Sequence, residues 1–329
     1  MADLLTKVLE VNVYLQPAQF FLSIITNTIN VRVLCSHGLR SSACTHYFLA
    51  YAIFSIIYTC LICPTQFLLG FRIGWSTSHV GCRMHFYVIF LAPFLARMML
   101  SLASFDRYCS SSQSNRCHII SEIKIARLII VITTIISIIY MSPMVAIYHI
   151  EETSGTCLQY FNLLISIYIF SQILLYYILA PILMILFGLL TISNVRQHAA
   201  RIGPRLSVVR RRRTERQLTR MLLLQISIHL ILTVPFGVIY SMNSFNPSTQ
   251  TPNILAVRHI LVMWQQCDYF VSFFLYLFSG STYRKHLARI LKLNKHQNHR
   301  IDRPIIQQAE TTQQFPIATT TLSYSVQKS

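Results

Sequence analysis

The sequence predicts an all-α membrane protein: a seven-transmembrane helix bundle with a short amphipathic cytoplasmic helix after the last span. Three observations carry that prediction. Of 329 residues, 53% are hydrophobic and only 12% are charged, against about 25% charged in soluble domains. Apolar runs long enough to cross a hydrocarbon core of roughly 30 Å as helices recur seven times along the chain. The basic residues concentrate in alternate segments between those runs, so the net charge of +18 fits membrane-flanking loops better than a nucleic-acid partner.

The spans are expected at residues 11–34, 47–69, 82–108, 125–148, 161–195, 221–243 and 254–278, with boundaries good to a few residues. Asn27 and Asn30 are polar groups inside the first. Pro64 interrupts the second, Pro143 the fourth, Pro181 the fifth and Pro235 the sixth. The first residues lack a basic stretch and a small-residue cleavage site, so the first span is expected to serve as its own targeting signal. Residues 282–293 read as an amphipathic helix, with Tyr283, Leu287, Ile290 and Leu291 towards lipid and Arg284, Lys285, Arg289 and Lys292 towards anionic headgroups; a plain basic tail is the alternative. Residues 1–293 form the membrane domain in this reading. Residues 294–329 are polar, rich in Gln, Thr and Ser, and expected to be a disordered cytoplasmic tail.

Seven spans place the two ends on opposite sides. Arg40 follows the first span, Arg116, Lys124 and Arg127 the third, the arginine-rich run from Arg196 to Arg220 the fifth, and Arg284 to Lys295 the seventh. The opposite side offers Lys7, Arg72, Arg83 and Arg258 with Glu151 and Glu152. This bias puts the N-terminus outside and the tail in the cytoplasm, in a multi-pass plasma-membrane protein. Cys82 and Cys157 both border spans on the outer side, which predicts one disulfide between them.

Cys82 opens the third apolar run and Asp106-Arg107-Tyr108 closes it, with 25 residues from Cys82 to Arg107, about 37 Å of helix at roughly 1.5 Å per residue. That pairing, on the third of seven spans, is similar to the third helix of rhodopsin-like (class A) G-protein-coupled receptors. The resemblance implies a receptor that binds an extracellular ligand and activates a heterotrimeric G protein by helix rearrangement, with Arg107 as the centre of the switch. Glu215 stands 20 residues before Pro235, the offset of the acid that holds the family's arginine in the inactive state; the bland alternative is a Glu215 solvated among arginines. Pro181 and Pro235 match the family's span-five and span-six prolines, and each would act as a helix pivot. Tyr276, seven residues before Tyr283, falls in the slot of the family's seventh-span tyrosine. Phosphorylated tail hydroxyls would give an arrestin-like adaptor negative charge to read.

The chain also departs from the family pattern. Ser272 and Phe273 replace Asn-Pro in the seventh span, Ser55 or Ile56 stands in place of the second-span acid, and Thr233 stands where a tryptophan is common. The sodium-binding pocket is thereby left without its acid. The departures resemble a divergent branch of the family, of the kind found in lineage-expanded invertebrate sets of orphan, peptide-receptor-like proteins. Ile89 occupies the place of the amine-receptor aspartate and Gln266 that of the retinal lysine, which speaks against both ligand classes. With Ile89 and Gln266, the residues His85, Tyr240, Asn243, His259, Trp264 and Gln265 are candidates to line an outer pocket for a neuropeptide or a small chemosensory molecule. Arg97 and Asp268 lie deep in apolar spans, where a charge costs roughly 2.5–3.5 kcal/mol on translocon scales. They are candidates for a buried pair across the third and seventh spans; separate water or carbonyl partners are the alternative.

Neither an enzyme nor a cofactor or metal site is expected: the histidines are scattered singly and form no H-x-x-x-H or H-E-x-x-H. A seven-span ligand-gated channel or a transporter is the alternative function. The first would need the N-terminus inside, against the charge bias, and the second would be expected to show an internal repeat.

Overall fold

Seven helices are long and apolar enough to cross a membrane: Leu4–Leu34, Ala43–Gly70, His79–Ser111, Ile123–Ile147, Leu163–Gln197, Thr219–Asn243 and Pro252–Ser279. The computed structural model describes residues 2–36, 39–40, 42–71, 73, 79–112, 114–150, 157–159, 162–201, 206–245, 251–280 and 283–290. The chain divides into two units, Met1–Leu287 and Ala288–Ser329; the first carries all seven spans. Glu151, Glu152 and the tail 294–329 lie outside the described residues.

The first helix, α1 (Ala2–Leu34), begins well before residue 11. Its extra turns are covered, because Leu5 and Val8 pack on Ala256 and Met263 of the last span. Asn12, Gln16, Gln19, Ser23, Asn27 and Asn30 recur every three or four residues and are all buried, while Tyr14, Phe21 and Ile25 are exposed. Such spacing places the polar groups on one helix face. Here that face turns inward, the reverse of a helix on a soluble protein, because lipid offers polar groups no partner. The partners are in the last span: Gln19 Nε2 donates to the Met263 carbonyl at 3.0 Å, Asn27 Nδ2 to the Tyr269 carbonyl at 2.6 Å and Asn30 Nδ2 to the Ser272 hydroxyl at 3.4 Å.

Helix α2 (Ala43–Gly70) runs through Pro64 and ends where Gly70 meets α1. A methyl group on Gly70 would lie 2.7 Å from Val13 Cγ2 and 2.9 Å from the Leu9 carbonyl oxygen, so only glycine allows this approach. Helix α3 (His79–Ser111) is central and packs against the second, fourth and fifth spans. The connection after α3 contains the short helix α4 (Asn115–Ile120). The fourth span is α5 (Ile123–Met141) and, beyond the break at Pro143, α6 (Met144–Ile147). It is the most peripheral span: Ile132, Ile135, Ile136 and Ile139 are all exposed as an outward apolar face.

The next connection is a hairpin. Strands β1 (Tyr148–Ile150) and β2 (Cys157–Gln159) pair antiparallel, with Ile150 opposite Cys157. The fifth span is α7 (Leu163–Ile173), a widened π segment at Leu174–Leu179, and α8 (Ala180–Arg201). The widening stands immediately before Pro181, whose ring has no N–H and crowds the carbonyl four residues back; a local π turn absorbs that defect without stopping the helix. Helix α9 (Leu206–Phe245) carries the sixth span and runs through Pro235. The seventh span is two helices, α10 (Pro252–Gln266) and α11 (Asp268–Ser279), divided at Cys267 rather than at a proline.

Residues 283–290 are helical. Tyr283 does not lie on lipid as the amphipathic reading expected. It is 1% exposed and donates to Asn30 Oδ1 at 2.6 Å. Burial pushes its phenol up, which keeps it a proton donor.

Candidate functional site

Three layers of the bundle carry the polar chemistry. At one end Cys82, at the start of α3, is disulfide-bonded to Cys157 on β2, with 5.9 Å between their Cα atoms. The bond fixes the hairpin over α3. Phe86, one turn along, stacks on Tyr148 with centroids 4.0 Å apart.

Beneath the hairpin lies a cavity of about 420 Å³ walled by the second, third, fifth, sixth and seventh spans. His85, Ile89, Tyr240 and Gln265, four of the sequence-predicted ligand residues, line it, together with Arg258, Gln172, Tyr176 and Tyr177. The other four are not among its lining residues. Trp264 is half exposed and faces outward, its Nε1 donating to the Ile231 carbonyl at 3.3 Å; it is the neighbour of the inward Gln265, and consecutive helix positions point about 100° apart. Gln266 is buried behind the wall, with a hydrogen-bond partner for neither amide atom. Asn243 is buried and His259 half-buried, both outside the lining.

The middle layer holds the two intramembrane charges, and the direct Arg97–Asp268 pair, one of the two arrangements left open by the sequence, does not form. Asp268 Oδ2 instead accepts from His229 Nδ1 at 2.7 Å, both side chains being almost fully buried. The guanidinium of Arg97 lies 3.5 Å over the Tyr176 ring and 5.3 Å from that of Tyr177. The π segment explains this: it brings two consecutive tyrosines round to the same cation. None of the three guanidinium nitrogens of Arg97, which is 1% exposed, has a hydrogen-bond partner. His229 has taken the Asp268 carboxylate.

Between this layer and the far end, Tyr276 donates to Gln225 Oε1 at 2.5 Å, tying the seventh span to the sixth. Tyr276 also packs against Phe48 and Tyr283. At the far end Arg107 pairs with Asp106 at 2.7 Å and donates to the Ser42 hydroxyl at 3.1 Å. The other carboxylate oxygen of Asp106 accepts from Ser121, just after α4, at 2.7 Å. Tyr108 stands beside Phe187 of the fifth span. Glu215 belongs to α9, but its side chain lies outside the described residues, and the lock to Arg107 stays an expectation.

Sequence reasoning passed over Ser42, Ser121, Gln225, His229, Tyr176 and Tyr177. One signal was present: Gln225, His229 and Thr233 recur every fourth residue in an otherwise apolar run, and all three are buried. Among the described residues no three His, Cys, Asp or Glu side chains gather as metal ligands would.

No curated protein matches the chain. The family described as the seven-transmembrane receptors of the rhodopsin family matches residues 26–268. With the disulfide, the seven spans and the Asp106-Arg107-Tyr108 end of α3 in place, the chain belongs to the rhodopsin family of seven-transmembrane receptors.

Proposed function

We propose that the protein is a plasma-membrane receptor that takes an extracellular ligand into the cavity under the Cys82–Cys157 hairpin and activates a heterotrimeric G protein at the Arg107 end. One observation carries the reading. The cavity floor at Tyr176 touches Arg97, and below it buried polar contacts join the sixth and seventh spans at His229–Asp268 and Gln225–Tyr276, on the way to Asp106–Arg107. Side chains that link helices in this way give a bundle two discrete arrangements, which a ligand can bias only by binding one better than the other. In the proposed cycle the Asp106–Arg107 pair, with Glu215 as its further partner, holds the resting arrangement. Its release lets the sixth span move about Pro235, and the fifth about Pro181. The N-terminus faces outward, the basic loops face inner-leaflet lipid, and the tail serves an arrestin-like adaptor.

Cells expressing the chain with promiscuous G-protein reporters test this against a ligand library. A responding ligand whose signal disappears in Arg107→Ala, at equal surface expression, is the expected result. A signal that survives Arg107→Ala undiminished removes the switch. An N-terminal tag that antibody reaches only after permeabilisation removes the topology.

A further inference from the structure

Among the described residues one charged side chain lines the cavity, Arg258, with the His85 imidazole also in the wall and no aspartate or glutamate. Arg258 is half-buried near the start of α10, close to the hairpin that roofs the cavity. Under the floor Arg97 sits behind Tyr176 with all three guanidinium nitrogens unpartnered and 1% of its surface exposed. The nearest buried acid, Asp268, is engaged by His229. A buried guanidinium without hydrogen bonds is a costly arrangement; here only ring faces meet it, and a charge acts strongly across a low-dielectric interior. The rest of the wall is mainly aromatic and aliphatic, with Phe86, Phe90 and Phe236 joining the tyrosines, and its other polar groups, Thr65, Gln66, Gln172 and Gln265, are uncharged.

We propose that this cavity takes an amphipathic carboxylate. An aromatic or branched hydrocarbon body lies on the Phe–Tyr wall, and the carboxylate is bound by the Arg258 guanidinium. Arg97 supplies a positive field from below that excludes amines. A cavity of about 420 Å³ is in the range of roughly 300–1,000 Å³ that small ligands fill. The carboxylate is therefore that of a small free acid or the C-terminal residue of a short peptide inserted end first. An arginine fork matches a carboxylate with two parallel hydrogen bonds, a geometry that neither an amide nor an ester reproduces. The inference rests on the reading of this cavity as the ligand site.

The test is thermal stabilisation of the purified full-length receptor, a readout that needs no G protein. The probes are 3-phenylpropionate, 5-phenylvalerate and 2-naphthylacetate, each beside its primary amide and the corresponding amine. A second series holds tetrapeptides ending in Phe, as free acid and as C-terminal amide. The expected result is a concentration-dependent rise in Tm with acids of at least one series, an apparent affinity at least tenfold weaker for the matched amide, and no rise with amines. Acids active only in the peptide series identify the source as a C-terminus; acids active in the first identify a free small molecule. Arg258→Gln weakens acid binding tenfold or more, and Arg258→Lys, which keeps the charge and loses the fork, falls between. Arg97→Gln narrows the gap between acid and amine. The proposal is overturned if no acid of either series shifts Tm, if amides or amines match the acids, or if both Arg258 variants, folded with the ligand-free Tm of the parent, bind acids as the parent does. Nucleotide exchange measured separately keeps the two claims apart: acids that bind without stimulating exchange leave the ligand class standing and remove the signalling reading.

Discussion

At Asp268 the bundle holds a carboxylate 4% exposed against the imidazole of His229 at 2.7 Å. Removing one member of a buried pair leaves the other uncompensated, at a cost of about 3–5 kcal/mol. His229→Leu is therefore expected to lower the Tm of the purified receptor sharply, and the double variant His229→Leu with Asp268→Leu to recover most of that loss. Equal stability of the single variant and the parent would show that the pair does no structural work. Tyr276→Phe is a milder change. It leaves Gln225 without a partner for its carbonyl oxygen, a cost of about 1–3 kcal/mol, and the same melting measurement reads it. The two intramembrane charges were legible as residues that need interior partners, yet their partners were not. Partner choice depended on which faces of three separate helices met, and on a neutral-looking histidine two helical turns before Pro235. The sequence marked Arg97 and Asp268 by charge alone, whereas Tyr176 and Tyr177 reach Arg97 from within the widened part of the fifth span.

That widening belongs to the element scale. Pro181 announced a defect in the fifth span, but not its form. A proline can kink, break or widen a helix, and the choice follows from what packs beside it. Here the sixth span does, through Gly237, where a methyl group would run into the Tyr177 ring. Gly237→Ala is expected to push that ring out of place and destabilise the fold by about 1–3 kcal/mol, the usual effect of overpacking; Gly237→Ser should do the same. A variant crystal or cryo-EM structure with Tyr177 unmoved would contradict the account. The helix after the seventh span makes a similar point. Its basic residues were plain in the sequence, but the inward direction of Tyr283 depends on Asn30, more than two hundred residues earlier. Periodicity places a residue on a face; it does not say which distant element that face meets.

For the whole molecule, the count of spans and the Cys82–Cys157 bridge were readable because each rests on a simple physical demand: apolar length in one case, an oxidising compartment in the other. The segment around Cys157 was readable as a short hairpin-like loop, but its register was not, since strands of three residues leave almost no periodic signal. The bridge closes a separation of 75 residues, and its loss typically costs about 2–5 kcal/mol. Cys157→Ser is expected to lower Tm accordingly and to expose the Cys82 thiol. In intact cells a membrane-impermeant maleimide should then label Cys82; labelling only after permeabilisation would reverse the proposed orientation.

The amide-bearing face of α1 has a consequence for how the protein is made. Its carboxamides find their carbonyl partners at Met263 and Tyr269, which leave the ribosome only with the seventh span. Until then the leading helix is a poor lodger in fatty-acyl surroundings, and nascent chains cut short before Pro252 should be held at the translocon or handed to quality control rather than released.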